Sequence, residues 1–229
     1  MTKHRHMNER QIWEKYGKPQ KSGTVRLGPH SSYQLRNTPR RILYSLSRYK
    51  FAAKMIGDGK SILELGCSDG LGTLILAEFA ERVTAVDFDR ETVSWARKLC
   101  GGRKTTFLCR DFLNRSFGAY DAVVSLDVIE HVRRENERHF FNTIRMNLLP
   151  TGFCVIGTPN ITSRKYSSKI VNDAHINLYS SQRLVRAMKR HFHNVFLFGA
   201  NDEVVHTGFK PMAQYLIAVG CRKKDSPIA

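Results

Sequence analysis

The chain has 229 residues, enough for one domain with a full core and a small appendage. Its 41% apolar and 25% charged content is that of a soluble globular protein, and no apolar run approaches the roughly 18–20 residues that span a bilayer. The net charge of +17 is uneven: residues 1–60 carry 14 Lys+Arg against 3 Asp+Glu, residues 61–160 carry 12 against 13, and residues 161–229 carry 11 against 4.

The positive excess therefore sits on the flanks, where it suits phosphates, nucleic acid or an anionic surface. Residues 1–40 read as an irregular basic arm broken by Gly17, Pro19, Gly23, Gly28, Pro29 and Pro39, with a short helix near Glu9–Tyr16. No apolar h-region follows the basic start, so no secretory signal is expected. From Pro39 the apolar residues Ile42, Leu43, Leu46, Tyr49 and Ala53 recur at helical spacing, and Gly57-Asp58-Gly59 ends the helix.

A regular alternation follows. Strands are expected at 61–65, 82–87, 104–109, 121–126 and 152–158, with helices at 71–80, 90–100 and 133–148. Leu149-Pro150-Thr151-Gly152 should close the last of these helices before the fifth strand. An insert at 159–179, a helix at 180–190 and two strands at 194–199 and 213–222 complete the chain. Strands alternating with helices predict an α/β fold. We expect a single Rossmann-like, doubly wound sheet of about seven strands, mostly parallel with an antiparallel edge. The expected division is a basic arm and helix over 1–50, a main domain over 51–224 and a tail at 225–229. Cysteines 67, 100, 109, 154 and 221 form no Cys-x-x-Cys pair, which points to reduced thiols and a cytoplasmic setting.

The chemistry gathers where strands end. Ile62-Leu63-Glu64-Leu65 runs into Gly66-Cys67-Ser68-Asp69-Gly70, a glycine turn at the carboxyl end of the first strand, where parallel sheets bind ligands. The dinucleotide fingerprint Gly-x-Gly-x-x-Gly fails here, because its spacing falls on Ser68 and Leu71. The nucleophile elbow Gly-x-Ser-x-Gly matches, with His175 or His206 as the downstream histidine. A serine hydrolase, however, builds several strands before its nucleophile, and residues 1–60 offer none.

Glu64-x-Gly66-x-Ser68-x-Gly70 resembles the first motif of the class I, Rossmann-like S-adenosylmethionine-dependent methyltransferases, with Ser68 in place of a glycine. The resemblance covers residues 50–222 and implies S-adenosyl-L-methionine as cofactor and S-adenosyl-L-homocysteine as product. Glu64, Gly66, Cys67, Ser68 and Gly70 would lie under the methionine part. Asp87 would accept the ribose hydroxyls, Phe88 would cover the adenine, and Asp111 and Phe112 would meet it from the third strand. Leu126 and Asp127 would close the site from the fourth strand, and Arg48 or Tyr49 would meet the methionine carboxylate. A cofactor-binding protein without turnover would show the same motif.

Asp127-Val128-Ile129-Glu130-His131 is the second concentration of chemistry; if helical, its three polar residues share one face. With the later His175, the run resembles the ubiquinone-biosynthesis O-methyltransferases and the small-RNA 2′-O-methyltransferases. The latter resemblance implies a divalent metal held by Asp127, Glu130, His131 and His175. Without metal, His131 or His175 would act as general base beside Glu130. Substrate contacts are expected from His30, Tyr33 and Arg36 of the arm and from Asn160, Arg164 and Tyr166 of the insert. An oxygen on a small, anionic, glycan-like molecule is the expected acceptor, with RNA as the alternative.

Overall fold

The computed structural model describes residues 7–17, 24–102 and 104–225. Residues 1–6, the 18–23 stretch with Pro19 and Gly23, and the tail beyond Asp225 lie outside them. Eight strands form one sheet: β1 Ser61–Leu65, β2 Arg82–Asp87, β3 Thr105–Cys109, β4 Tyr120–Leu126, β5 Leu148–Pro159, β6 Phe192–Asn201, β7 Val204–His206 and β8 Tyr215–Lys223. Their spatial order is β3-β2-β1-β4-β5-β8-β6-β7. The first five are parallel. β8 inserts antiparallel between β5 and β6, and β7 pairs antiparallel with β6. The expected seven strands become eight, because the three-residue β7 is too short to show a period-2 pattern. The antiparallel region is correspondingly three strands wide rather than one edge strand.

The parallel strands are apolar on both faces because helices cover both. On one face α3 Pro39–Ile56, α4 Leu71–Phe79 and α5 Arg90–Cys100 bury Tyr49, Ala52, Leu76 and Ala96 against Ile62, Val83 and Val124. On the other, α6 Glu137–Asn147 and α8 Ser181–Lys189 bury Phe140, Phe141, Ile144 and Leu184 against Leu63, Val123 and Ile156.

Several boundaries differ from expectation for local reasons. The short helix expected near Glu9–Tyr16 is present as α1, Glu9–Ile12, continued by a π-helical turn over Trp13–Gly17, whereas α2, Pro29–Asn37, was not expected. Gly28 and Pro29, read as breakers, are the N-cap and first residue of α2, where proline's fixed φ is tolerated. α3 runs unbroken through the expected division at 50/51. Helix 133–148 starts only at Glu137, after 3₁₀ turns at Ile129–His131 and Arg134–Asn136. β5 already begins at Leu148, and its ladder with β4 skips from Tyr120↔Leu148 to Ala122↔Phe153, so 149–152 bulge out of the pairing. The insert contains a 3₁₀ turn, Ile161–Tyr166, and α7, Lys169–Ala174.

Candidate functional site

The carboxyl ends of β1, β2, β3, β4 and β5 all open on one edge of the sheet, and the expected residues cluster there. Gly66 and Gly70 both take φ +83°, the left-handed region that glycine enters without strain. Space matters as well: a Cβ on Gly66 would stand 2.3 Å from Val128 Cγ2, and one on Gly70 would stand 2.8 Å from Ala96 Cβ. Ser68 follows the same turn with φ 49°.

Two carboxylates shape this loop. Glu64 lies under it, buried, accepting from Tyr49 Oη at 2.8 Å and Thr73 Oγ1 at 2.6 Å. Burial lifts its pKa to about 7, although both hydrogen bonds favour the charged form. Glu64 thus ties β1 to α3 and α4 and supports the loop from below. Asp87 ends β2 and accepts the Ser68 backbone N–H at 2.9 Å with one oxygen and the Asp89 N–H at 3.0 Å with the other. A carboxylate offers about four lone-pair sites, so acceptors remain for two ribose hydroxyls. Phe88 beside it is 74% exposed, its ring free to cover a flat ligand.

The neighbouring strand ends mix exposed and core residues. Asp111 caps its own turn by accepting from Leu113 N at 2.9 Å. Phe112 is 7% exposed and edge-on to Phe140, so its ring belongs to the core. Leu126 is likewise a core residue. Cys67 is buried, and burial pushes its thiol pKa far up, which leaves it unreactive.

A sequence-invisible contact joins the arm to the loop. Asp69 is buried and accepts Ser31 N at 2.8 Å and Ser31 Oγ at 2.6 Å, holding the first turn of α2. His30 Nδ1 sits 2.8 Å from Ser68 Oγ. His30 therefore stands against the glycine loop. Tyr33 and Arg36 are exposed further along α2. Ser68 has a histidine neighbour, but it is His30; the expected hydrolase partner His175 belongs to a different cluster. No pattern linked positions 31 and 69, because their meeting depends on α2 forming at all.

After β4 the chain does not turn into one helix. Asp127 takes φ 58°, a strained value for a non-glycine residue, worth roughly 1–3 kcal/mol. Its N–H donates to Gly157 O at 3.0 Å, and its carboxylate receives Arg48 Nη1 at 3.3 Å on both oxygens. Arg48 also stacks 3.5 Å over the Tyr215 ring. Arg48 is thus held between Asp127 and Tyr215.

The 3₁₀ turn sends Glu130 inward and leaves His131 exposed. Glu130 Oε2 accepts from Thr158 Oγ1 at 3.0 Å, whereas Oε1 is buried without a partner. Burial, with Asp127 nearby, holds its pKa well above the usual carboxylate range. His131 Nδ1 bonds the Ala174 carbonyl at 3.0 Å, which makes Nδ1 the protonated nitrogen and frees Nε2. His175 packs edge-on against His131 with centroids 5.0 Å apart, and burial lowers its pKa. Ligand atoms of Glu130, His131 and His175 all lie within 4.8 Å of one another. An orphaned carboxylate oxygen and two imidazole nitrogens are a donor set that fits a divalent metal. Asp127, the fourth expected ligand, is outside this cluster because Arg48 engages it.

The expected substrate residues separate as well. Asn160 is buried, donating from Nδ2 to Ala213 O at 2.8 Å and Lys210 O at 3.1 Å; it staples the end of β5 to the turn before β8. Arg164 and Tyr166 are exposed on the insert.

Residues 63–156 match a family model described as a methyltransferase domain. The Arabidopsis thaliana mitochondrial ubiquinone biosynthesis O-methyltransferase is 34% identical over 125 residues, 52% of this chain and 38% of that protein. The cyclopropane-fatty-acyl-phospholipid synthase of Escherichia coli is 31% identical over 124 residues, 53% of this chain and 31% of that protein. The alignments thus span well under two-thirds of these relatives' own length. Among solved structures, the plantazolicin methyltransferase BpumL in complex with SAH superposes with a TM-score of 0.61 at 18% identity, covering 85% of this chain and 89% of that one. The fold is that of the class I methyltransferases.

Proposed function

We propose that this chain is a class I S-adenosylmethionine-dependent methyltransferase and that it transfers a methyl group to an oxygen of an anionic acceptor. One observation supports the cofactor assignment above the rest. Asp87 fastens the glycine loop through Ser68 N and still has acceptor sites open to the ligand, next to an unpacked Phe88.

Bound there, the cofactor supplies an activated methyl on a sulfonium. The chain supplies position. Asp87 orients the ribose and the loop backbone sets the depth of the methionine arm. Glu130, His131 and His175 mark where the acceptor hydroxyl loses its proton. Burial lowers the pKa of His175 and so favours the neutral imidazole, the form that takes a proton at a ring nitrogen. Where a divalent metal is bound, Glu130, His131 and His175 would hold it, and it would lower the pKa of the accepting hydroxyl.

Sequence similarity reaches both an O-methyltransferase and a cyclopropane synthase, so oxygen as the accepting atom rests on this Glu-His-His cluster. The anionic acceptor rests on the charge of the flanks. RNA remains the second reading, favoured by the same cluster. Transfer of labelled methyl from S-adenosylmethionine into phosphorylated glycan and RNA fractions tests both. We expect an alkali-stable ether on the glycan fraction, with His131→Ala and His175→Ala each lowering turnover by about a hundredfold. Label on nitrogen or carbon contradicts the oxygen assignment.

A further inference from the structure

The insert and the turn before β8 form a surface that neither methyl transfer nor the core uses. Thr162 Oγ1 donates to Ala213 O at 3.2 Å and Asn160 Nδ2 donates to Lys210 O at 3.1 Å, so the two segments lie side by side. Four of their large side chains stand out of the protein: Tyr166 and Ile170 on the insert, Phe209 and Met212 on the turn, each more than two-thirds exposed. Ile170 is the extreme at 82%. Arg164, Lys165, Lys169 and Lys210 are interleaved with them. Among the described residues none of these four cations joins an ion pair, and Asp173 is the only acid between 160 and 180. The surface ends at the candidate site, because the last carbonyl of α7, Ala174 O, is the one bonded to His131.

The geometry points to this surface as a docking face for a bilayer rich in anionic phospholipid. Cations supply attraction to phosphate headgroups, and the apolar side chains enter the headgroup boundary, as on interfacial helices. Isoleucine and methionine are the wrong shape for stacking on nucleic-acid bases, which takes flat rings along a groove. No helix among the described residues is long and apolar enough to cross a membrane, so the contact is made by lying on the surface. The docking face stands apart from the methyl-transfer reading. Its consequence, that the acceptor is carried on a lipid and presented beside His131 and His175, rests on that reading.

Co-sedimentation with vesicles tests it. The probes are phosphatidylcholine vesicles and vesicles with about one-third phosphatidylglycerol. We expect binding to the second at least about tenfold stronger than to the first, falling with added salt. Ile170→Asp with Met212→Asp, and separately Lys165→Glu with Lys169→Glu, should each weaken it about tenfold. All these positions are exposed, and unchanged S-adenosylhomocysteine affinity by calorimetry will show the variants folded. Equal binding to both vesicle types overturns the proposal, as do variants that bind like wild type. Single-stranded RNA captured by the same residues while vesicles are ignored, or self-association of the wild type through them, overturns it too. Each of these results leaves the methyl-transfer reading standing if cofactor affinity is intact; loss of cofactor binding by the wild type would sink that reading instead.

Discussion

Phe88 and Phe112 both follow an aspartate just past a strand end, and in sequence they look equivalent. In the structure they have opposite roles. Phe88→Ala should cost under about 0.5 kcal/mol of stability, because its ring buries little, yet weaken S-adenosylhomocysteine about tenfold. Phe112→Ala should cost about 3–5 kcal/mol in denaturant unfolding, because its ring packs on Phe140. Glu64 gives a pH signature. Its pKa is raised from 4.5 unfolded to about 7 folded, so the folded state holds its proton more tightly. Stability carried by the protonated form is full below about pH 4.5 and declines as pH rises through about 7. Thr73→Val removes a donor that favours the carboxylate, raising the folded pKa further. Its destabilisation should be about 1 kcal/mol larger at pH 8 than at pH 5. Residue types were legible here and partners were not. Asn160 was read as a substrate contact because it follows β5, but burial makes it a staple. Asp127 was read as a metal ligand, but one left-handed backbone angle aims it at Arg48.

At the scale of elements, the loop after β1 and the helix α2 act together. Asp69 holds the first turn of α2 with two hydrogen bonds, and His30 reaches Ser68 from that turn. Asp69→Ala should therefore speed amide exchange across 29–37 and cost about 1–3 kcal/mol, while α3 keeps its protection. Gly28→Ala should act similarly, since its Cβ would stand 2.3 Å from Asp69 Cβ. The strands and helices between 61 and 126 were legible because apolar periodicity and glycine turns agree there. α2 was not, because its proline and glycine carry the same letters as a loop. The turn after β4 was not either, because a short 3₁₀ segment and a helix start share the same three- and four-residue spacing.

For the whole molecule, the alternating pattern was enough to expect the parallel strands β1 to β5, but not their spatial order or the place of β8 between β5 and β6. Charge follows the architecture: the core half of the chain is near neutral and the excess lies on the arm and the C-terminal third. We propose that the edge formed by β1, β2 and their loops is an S-adenosylmethionine site organised by Asp87. Titration calorimetry of S-adenosylmethionine into the wild type and into Asp87→Ala tests it most directly. We expect one site in the wild type and about ten- to a hundredfold weaker binding in the folded variant. Equal affinity in the two, or no binding by the wild type, would contradict it.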